Sequence, residues 1–306
     1  MSTRLISVVI PTRDRNTALA LCLDRLAPGA QTLPHDQYEV VVSDDSAGHL
    51  AFELVRDRFP WARWQEGPGR GPAANRNAGA RTARGTWLVF TDDDCLPEPV
   101  WLEAFAAAMT TNEEALDVLE GRTTCRAGLD SPRVTAPLNL DGGRLWSCNF
   151  AIRRAGFEKI GGFDERYPFA HMEDADLQFR LRKAGYMIHF VPAAEVDHPP
   201  RPLPWGVRLA RVHESSVLHM VLHGPRRGLP WYLVNQARAR LSRIVRSRKS
   251  MDTVSALASL PVELSHIALH WRAWHRKALS HRTPDTRNSD RRCEAPEGGA
   301  MTSQRA

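Results

Sequence analysis

The chain has 306 residues, 42% of them hydrophobic and 25% charged, with 41 Lys+Arg against 35 Asp+Glu and a net charge of +6. That composition excludes wholesale disorder and suits one large domain with an appendage, or two domains. Residues 1–198 hold 22 basic and 28 acidic residues, and residues 199–306 hold 19 and 7, so an acidic body precedes a basic extension.

Such asymmetry points to a polyanionic partner, either nucleic acid or an anionic membrane face. Arg outnumbers Lys 37 to 4, a bias that coding-DNA composition alone can produce. The five cysteines (Cys22, Cys95, Cys125, Cys148 and Cys293) are odd in number and none has C-x-x-C spacing. They support neither a disulfide framework nor a structural zinc site, and a reducing, cytoplasmic compartment is expected. Met1–Arg4 leads directly into a strand-like run, unlike a signal peptide. No segment reaches the ~18 uninterrupted apolar residues of a membrane span.

In chain order, residues 5–10 (LISVVI) form a β-branched run closed by Pro11, the pattern of a buried strand and a loop. Asn16 offers a cap to a helix bearing Leu19, Leu23 and Leu26. A second buried strand, Tyr38 to Val42, stops at Ser43-Asp44-Asp45-Ser46. A helix over about 48–58, a short strand near Arg63–Gln65, a tight Gly67–Pro72 loop and a helix over Ala73–Ala83 follow. The strand Thr86–Phe90 ends in Thr91-Asp92-Asp93-Asp94. This alternation predicts an α/β fold with a mostly parallel sheet and right-handed crossovers. Strands at 117–121 and 147–152 flank a loop over 123–145, and a helix over Glu173–Ala184 precedes a strand over Met187–Val191. Asp174 shares the face of Leu177 and Leu181, whereas Asp176 pairs by spacing with Arg180 and is expected in solvent. Pro199–Pro204 reads as a boundary. Helices over 205–223, 230–249 and 253–279 come next, then a polar tail, 281–306, expected to be disordered.

Ligands of an open α/β sheet bind beyond the carboxyl ends of its strands. Pro11-Thr12-Arg13, Asp44-Asp45 and Asp92-Asp93-Asp94 fall at such ends. Three consecutive carboxylates repel one another unless a cation compensates, and hard oxygen ligands suit Mg²⁺ or Mn²⁺. A solvated acidic turn or a helix cap explains the triplet equally. The Gly67–Gly79 stretch sets Arg70, Asn75, Arg76 and Asn77 at a helix start, as a diphosphate site would, but it matches neither G-x-G-x-x-G nor the Walker A pattern. Asp174 is a structural cap or a positioned base.

Together, VVIPTRDR (8–15), VVVSDDS (40–46), GPAANRNAGARTARGTWLVFTDDD (71–94), SCNFAIRRAGFEKIGGFDE (147–165) and EDADLQFRLRKAGY (173–186) resemble a family 2 glycosyltransferase with the GT-A fold. The resemblance covers residues 5–198, which it implies are the catalytic domain (1–198), followed by the 199–204 boundary and a basic helical extension, 205–280. It implies an inverting transferase moving a sugar from a nucleotide-diphospho-sugar, a UDP-sugar by preference, to an acceptor hydroxyl in cell-envelope polysaccharide or glycolipid synthesis. Pro11, Thr12, Arg13 and Asp45 would hold the nucleoside, and Arg70 or Arg76 the diphosphate. Asp92 and Asp93 would contact the donor, and Asp92 and Asp94 a divalent cation, Mg²⁺ or Mn²⁺. His198 lies where some relatives supply a further metal ligand, and a structural histidine is the alternative. Asp174 would be the base, with Glu173 beside it, and Asn149, Gly162 and Asp164 would shape the sugar and acceptor site. Ser46 follows Asp45 where the pattern usually has glycine, which leaves the nucleotide open. Two alternatives remain: an inactive scaffold subunit of an envelope-synthesis complex, and a sugar-phosphate nucleotidyltransferase, although Thr12–Asn16 lacks the Gly and Lys the latter needs.

Residues 229–249 place Leu233, Val234, Ala237, Leu241, Ile244 and Val245 on one arc and Arg238, Arg240, Arg243, Arg246 and Lys249 on the rest. An interfacial helix on anionic lipid has this pattern, and so does a helix packing its apolar arc on the catalytic domain. No motif supports nucleic-acid binding.

Overall fold

The computed structural model describes residues 6–111, 117–224, 228–246 and 250–281. Its eight-stranded sheet, numbered along the chain, has the spatial order β3 (Arg63–Glu66), β2 (Tyr38–Asp44), β1 (Ile6–Thr12), β4 (Trp87–Thr91), β8 (Asn149–Arg153), β6 (Val118–Thr124), β9 (Ile188–Asp197), β5 (Leu96–Pro97). The apolar runs of β1, β2 and β4 show no polar alternation because both faces of the sheet are covered. Ile6, Val8 and Ile10 pack into one layer with α1 (Asn16–Leu26), α2 (Leu50–Arg58) and α4 (Trp101–Thr111). Val9, Leu88 and Phe90 pack into the other with α3 (Pro72–Thr82), α5 (Arg154–Ile160) and α6 (Glu173–Lys183).

The sheet is mixed, with four of its seven strand pairings parallel. β3, β2, β1 and β4 run parallel, as do β6 and β9. β8 is antiparallel to both β4 and β6, and β5 is antiparallel to β9. β9 also runs on to Asp197, past the expected end at Val191.

The 123–145 segment contains β7 (Val134–Thr135), which pairs antiparallel with β10 (Arg201–Pro202). The Pro-rich stretch expected as a boundary is therefore laid across the body. Leu203 N donates to Arg133 O at 2.6 Å beside that ladder.

The extension forms α7 (Val207–Arg211), α8 (His213–His223), α9 (Leu229–Val245) and α10 (Ser250–Ser280). A third apolar cluster joins Val217, Leu218, Tyr232, Ile267 and Trp271 of these helices to Tyr167 of the body. The expected place of Arg240 on α9 is corrected. Arg240 is buried in an ion pair with Glu263 at 3.2 Å, while Val234, Leu241 and Val245 are 56%, 42% and 82% exposed. A buried carboxylate needs cationic partners. Glu263 takes Arg240 and the His213 ring (3.0 Å), and Tyr232 closes on the other ring nitrogen at 2.7 Å. The tail expected to be disordered lies outside the described residues beyond His281.

Candidate active site

The parallel strands β1, β2 and β4 deliver their carboxyl ends to one edge of the sheet, where the predicted motifs meet. Pro11, Thr12, Arg13, Asp45, Arg76, Asp92 and Asp93 line a cavity of about 200 Å³ there, together with Arg15 and Arg201. Arg70 does not. It reaches out to Glu165 at 2.9 Å with 63% of its side chain exposed, so the structure seats Arg76 in the site.

Asn75 fixes this edge by donating to Thr12 O (3.2 Å) and Ser43 O (2.9 Å). Asp45 accepts from Gly69 N (2.9 Å) and Gly71 N (3.2 Å), holding the glycine loop against the cavity. A Cβ on Gly67 would collide with the Asp45 carboxylate, so only glycine lets the loop approach so closely. Asp44, by contrast, is structural: it accepts from Ser46 N (2.9 Å) and Ala51 N (3.0 Å) at the start of α2.

The acidic triplet is buried and surrounded by guanidinium groups. Arg76 bridges Asp92 (2.7 Å) and Glu173 (3.1 Å) from α3. Arg15 bonds Asp93 at 2.7 Å and also Asp94. Arg201 grips Asp94 through Nε and Nη2 and reaches Asp92 at 3.2 Å. Burial would raise the Asp92 carboxyl, but Arg76, Arg201 and His198 outweigh it and hold the group well below the usual carboxylate range. For Asp93 burial wins, reinforced by Asp94, and pushes the group up to about 7. Burial, with Asp174 adjacent, likewise pushes Glu173 up to about 7.

Asp174 is half-buried at the start of α6, where Ala175 N donates to it at 2.7 Å. Burial raises its carboxyl above the ordinary value. It opens onto a second cavity of about 460 Å³, between Gly142–Trp146 and the Ala175–Gln178 turn. Asp176 corrects the solvent-exposed expectation. It is 1% exposed and accepts from Arg180 at 2.7 Å and from His223 of α8 at 2.6 Å.

The remaining predicted residues lie apart from both cavities. Asn149 is 1% exposed and all its polar atoms are used internally, accepting from Trp101 (2.8 Å) and donating to Arg122 O (2.7 Å) and Ala194 O (3.0 Å). It is a strut between β8, α4 and β9. Gly162 and Asp164 border a separate hollow with Asn77 and Arg180, and Asp164 is clasped by Arg166 at 2.6 Å.

His198 is fully buried, and its Nδ1 sits 2.9 Å from Pro199 O. A carbonyl only accepts, so Nδ1 carries the hydrogen and a neutral ring leaves Nε2 as a bare acceptor. That Nε2 has no hydrogen-bond partner and lies 3.5 Å from Asp94 Oδ1. A positive charge at that point, whether a proton on Nε2 or a metal ion, would join these two buried groups. Ligand atoms of Asp94, Cys95 and His198 lie within 4.8 Å of one another. Four carboxylates (Asp92, Asp93, Asp94, Glu173) also face three guanidinium groups (Arg15, Arg76, Arg201), an excess of one negative charge when all are ionised. These residues fit a divalent cation.

The model of the family described as "Glycosyl transferase family 2" matches residues 7–161, just over half of the 306-residue chain. The chain belongs to glycosyltransferase family 2. A second family model, the N-terminal domain of galactosyltransferase, matches residues 135–200, which include Asp174, His198 and the α6 helix. A validoxylamine A glucosyltransferase from Streptomyces hygroscopicus subsp. limoneus is 29% identical over 72% of this chain and 55% of its own length. An N-acetylglucosaminyl-diphospho-decaprenol L-rhamnosyltransferase from Mycobacterium tuberculosis is 57% identical, but over 17% of this chain and 16% of its own. The chain spans little more than half the length of the first of these relatives. Residues 1–349 of S. aureus TarS superpose with a TM-score of 0.55 at 17% identity, covering 92% of this chain and 77% of that one. The likeness shows the GT-A architecture, an eight-stranded mixed sheet flanked by helices and followed by C-terminal helices.

Sequence reasoning missed two residues that line the first cavity, Arg15 and Arg201. Arg15 ends the first motif block, and the unbalanced carboxylates were a signal that further guanidinium groups had to be near. Nothing local marks Arg201, which reaches Asp94 across 107 positions.

Proposed function

We propose that this glycosyltransferase moves a sugar from a nucleotide-diphospho-sugar to an acceptor hydroxyl with inversion, Asp174 acting as the base. The observation that carries this is Arg76. It joins Asp92, at the wall of one cavity, to Glu173, the neighbour of Asp174, which opens onto the other. A donor diphosphate in the first cavity and an acceptor in the second would meet across that bridge. The acceptor oxygen bonds to the anomeric carbon as its proton passes to Asp174, and the bond from that carbon to the diphosphate breaks. A single displacement from the face opposite the leaving group inverts the anomeric centre. Burial raises the Asp174 carboxyl, which suits a group that must take up a proton.

Asp94 and His198, with Asp92, would hold a divalent cation, which would supply electrostatic stabilisation of the leaving diphosphate. Arg15, Arg76 and Arg201 set further positive charge along the same wall. Pro11, Thr12 and Asp45 border the space left for the nucleoside, and a UDP-sugar is the first donor to test. The acceptor we favour is an envelope saccharide or glycolipid on the cytoplasmic side of the membrane. The decaprenol-linked acceptor in the name of the mycobacterial relative supports a lipid-linked one.

Asp174→Asn keeps the shape of the site and removes the proton acceptor. Transfer should fall by ~10²-fold or more while donor binding, followed by calorimetry, stays within a few-fold of wild type. Near-normal turnover in that variant would remove the base assignment. Product stereochemistry read by NMR tests inversion separately.

A further inference from the structure

We propose that the outward faces of α9 and α10 form a docking surface for an anionic lipid bilayer, with the extension lying on the membrane. The observation is what α9 leaves outside. Val234, Leu241 and Val245 recur at i, i+7 and i+11, one side of a helix, and all three face solvent. Trp231, 43% exposed, stands at the start of the same helix.

The packed neighbour α10 repeats the pattern. Met251, Val254 and Leu257 are 80%, 63% and 46% exposed at successive turns, and Leu269 is 79% exposed two turns beyond Pro261. Scattered single apolar residues on a surface need no explanation, but periodic stripes on two adjoining helices do.

The charge around these stripes selects the occupant. Arg238 and Arg246 of α9 and Arg272 and Arg276 of α10 are exposed beside the apolar positions. Among the described residues of these two helices the carboxylates are Asp252, half-buried, and Glu263, buried against Arg240 and His213. The surface therefore offers apolar side chains and guanidinium groups with hardly an exposed anion. A second protein would need a matching apolar and acidic face. An anionic bilayer supplies both, headgroup phosphates for the arginines and acyl chains for the valines and leucines. No described helix is long and apolar enough to cross a membrane, so the surface lies on the bilayer. Arginine stems also contribute, since they lie along apolar surface while their heads stay with the phosphates.

The test uses the full chain with vesicles of phosphatidylcholine alone and of equimolar phosphatidylglycerol and phosphatidylcholine, followed by flotation. Wild type should float with the anionic vesicles, bind pure phosphatidylcholine at least tenfold more weakly, and release as salt is raised. Val245→Glu and Met251→Glu change largely exposed side chains and leave the packed faces intact. Each should weaken vesicle binding by about tenfold with unchanged melting temperature, and the Arg246→Glu/Arg272→Glu pair should do the same. Indifference of binding to these variants, or no flotation of wild type, overturns the proposal. So does light scattering that shows a wild-type dimer which Val245→Glu dissociates, because a second copy then covers the face. Flotation needs neither donor nor transfer, so its outcome is independent of the proposed reaction.

Discussion

Arg201 shows how residues far apart in the chain complete a charge balance. Asp92 and Asp94 lie where the sequence placed them, closing a buried strand, because that position follows from local pattern alone. Arg201 sits in a Pro-rich stretch that reads as a linker, and β10 pairing with β7 carries it to the carboxylates. The positions of Asp45 and Asp174 were legible for the same reason as Asp92, each being tied to an element end, whereas the choice between Arg70 and Arg76 was not. Asn149 was assigned to the sugar site, but the neighbours that occupy its amide come from Trp101, Arg122 and Ala194, none adjacent in sequence. The cation site makes its own prediction. Removing a group that merely orients a metal ligand weakens metal affinity by about 10- to 100-fold, and removing a ligand itself costs at least as much. Asp94→Ala and His198→Ala should each weaken Mn²⁺ binding by at least that much in a calorimetric titration. Unchanged binding would count against the site.

At the scale of elements, strands and helices were largely visible and their pairing was not. Periodicity marks a buried strand but says nothing about direction, so the antiparallel entry of β8 between β4 and β6 had no local sign. The burial of Arg240 on α9 was not foreseen because a helical wheel counts apolar positions and cannot see the buried Glu263 that draws Arg240 inward. Helix α6 gave the same lesson through Asp176. Its spacing to Arg180 was right, yet His223 from α8 covers the pair. Breaking a buried ion pair costs about 3–5 kcal/mol. Asp176→Ala should lower unfolding stability by about that amount, measured by urea denaturation. The pH dependence has a definite sign. Burial would raise the Asp176 carboxyl, but His223 and Arg180 depress it below its unfolded value. Its contribution is therefore present above the ordinary carboxylate range and is lost as pH falls through the depressed folded value. In Asp176→Ala that acid-sensitive part should be missing.

On the scale of the whole molecule, contacts cross the change of charge sign near residue 199. Tyr167 of the body sits in the apolar cluster of the extension, and Asp176 is shared between α6 and α8. Differential scanning calorimetry should therefore show one cooperative transition for the chain, with equal van't Hoff and calorimetric enthalpies. Two resolved transitions would mean that the extension folds independently. The coupling bears on how such a chain can change over time or be engineered. Asp176 lies two positions from Asp174 on the same first turn of α6, and its partner His223 belongs to the extension. Grafting a foreign extension onto this body would strip Asp176 of its His223 partner at the turn that also carries Asp174, so an exchanged extension must restore that contact.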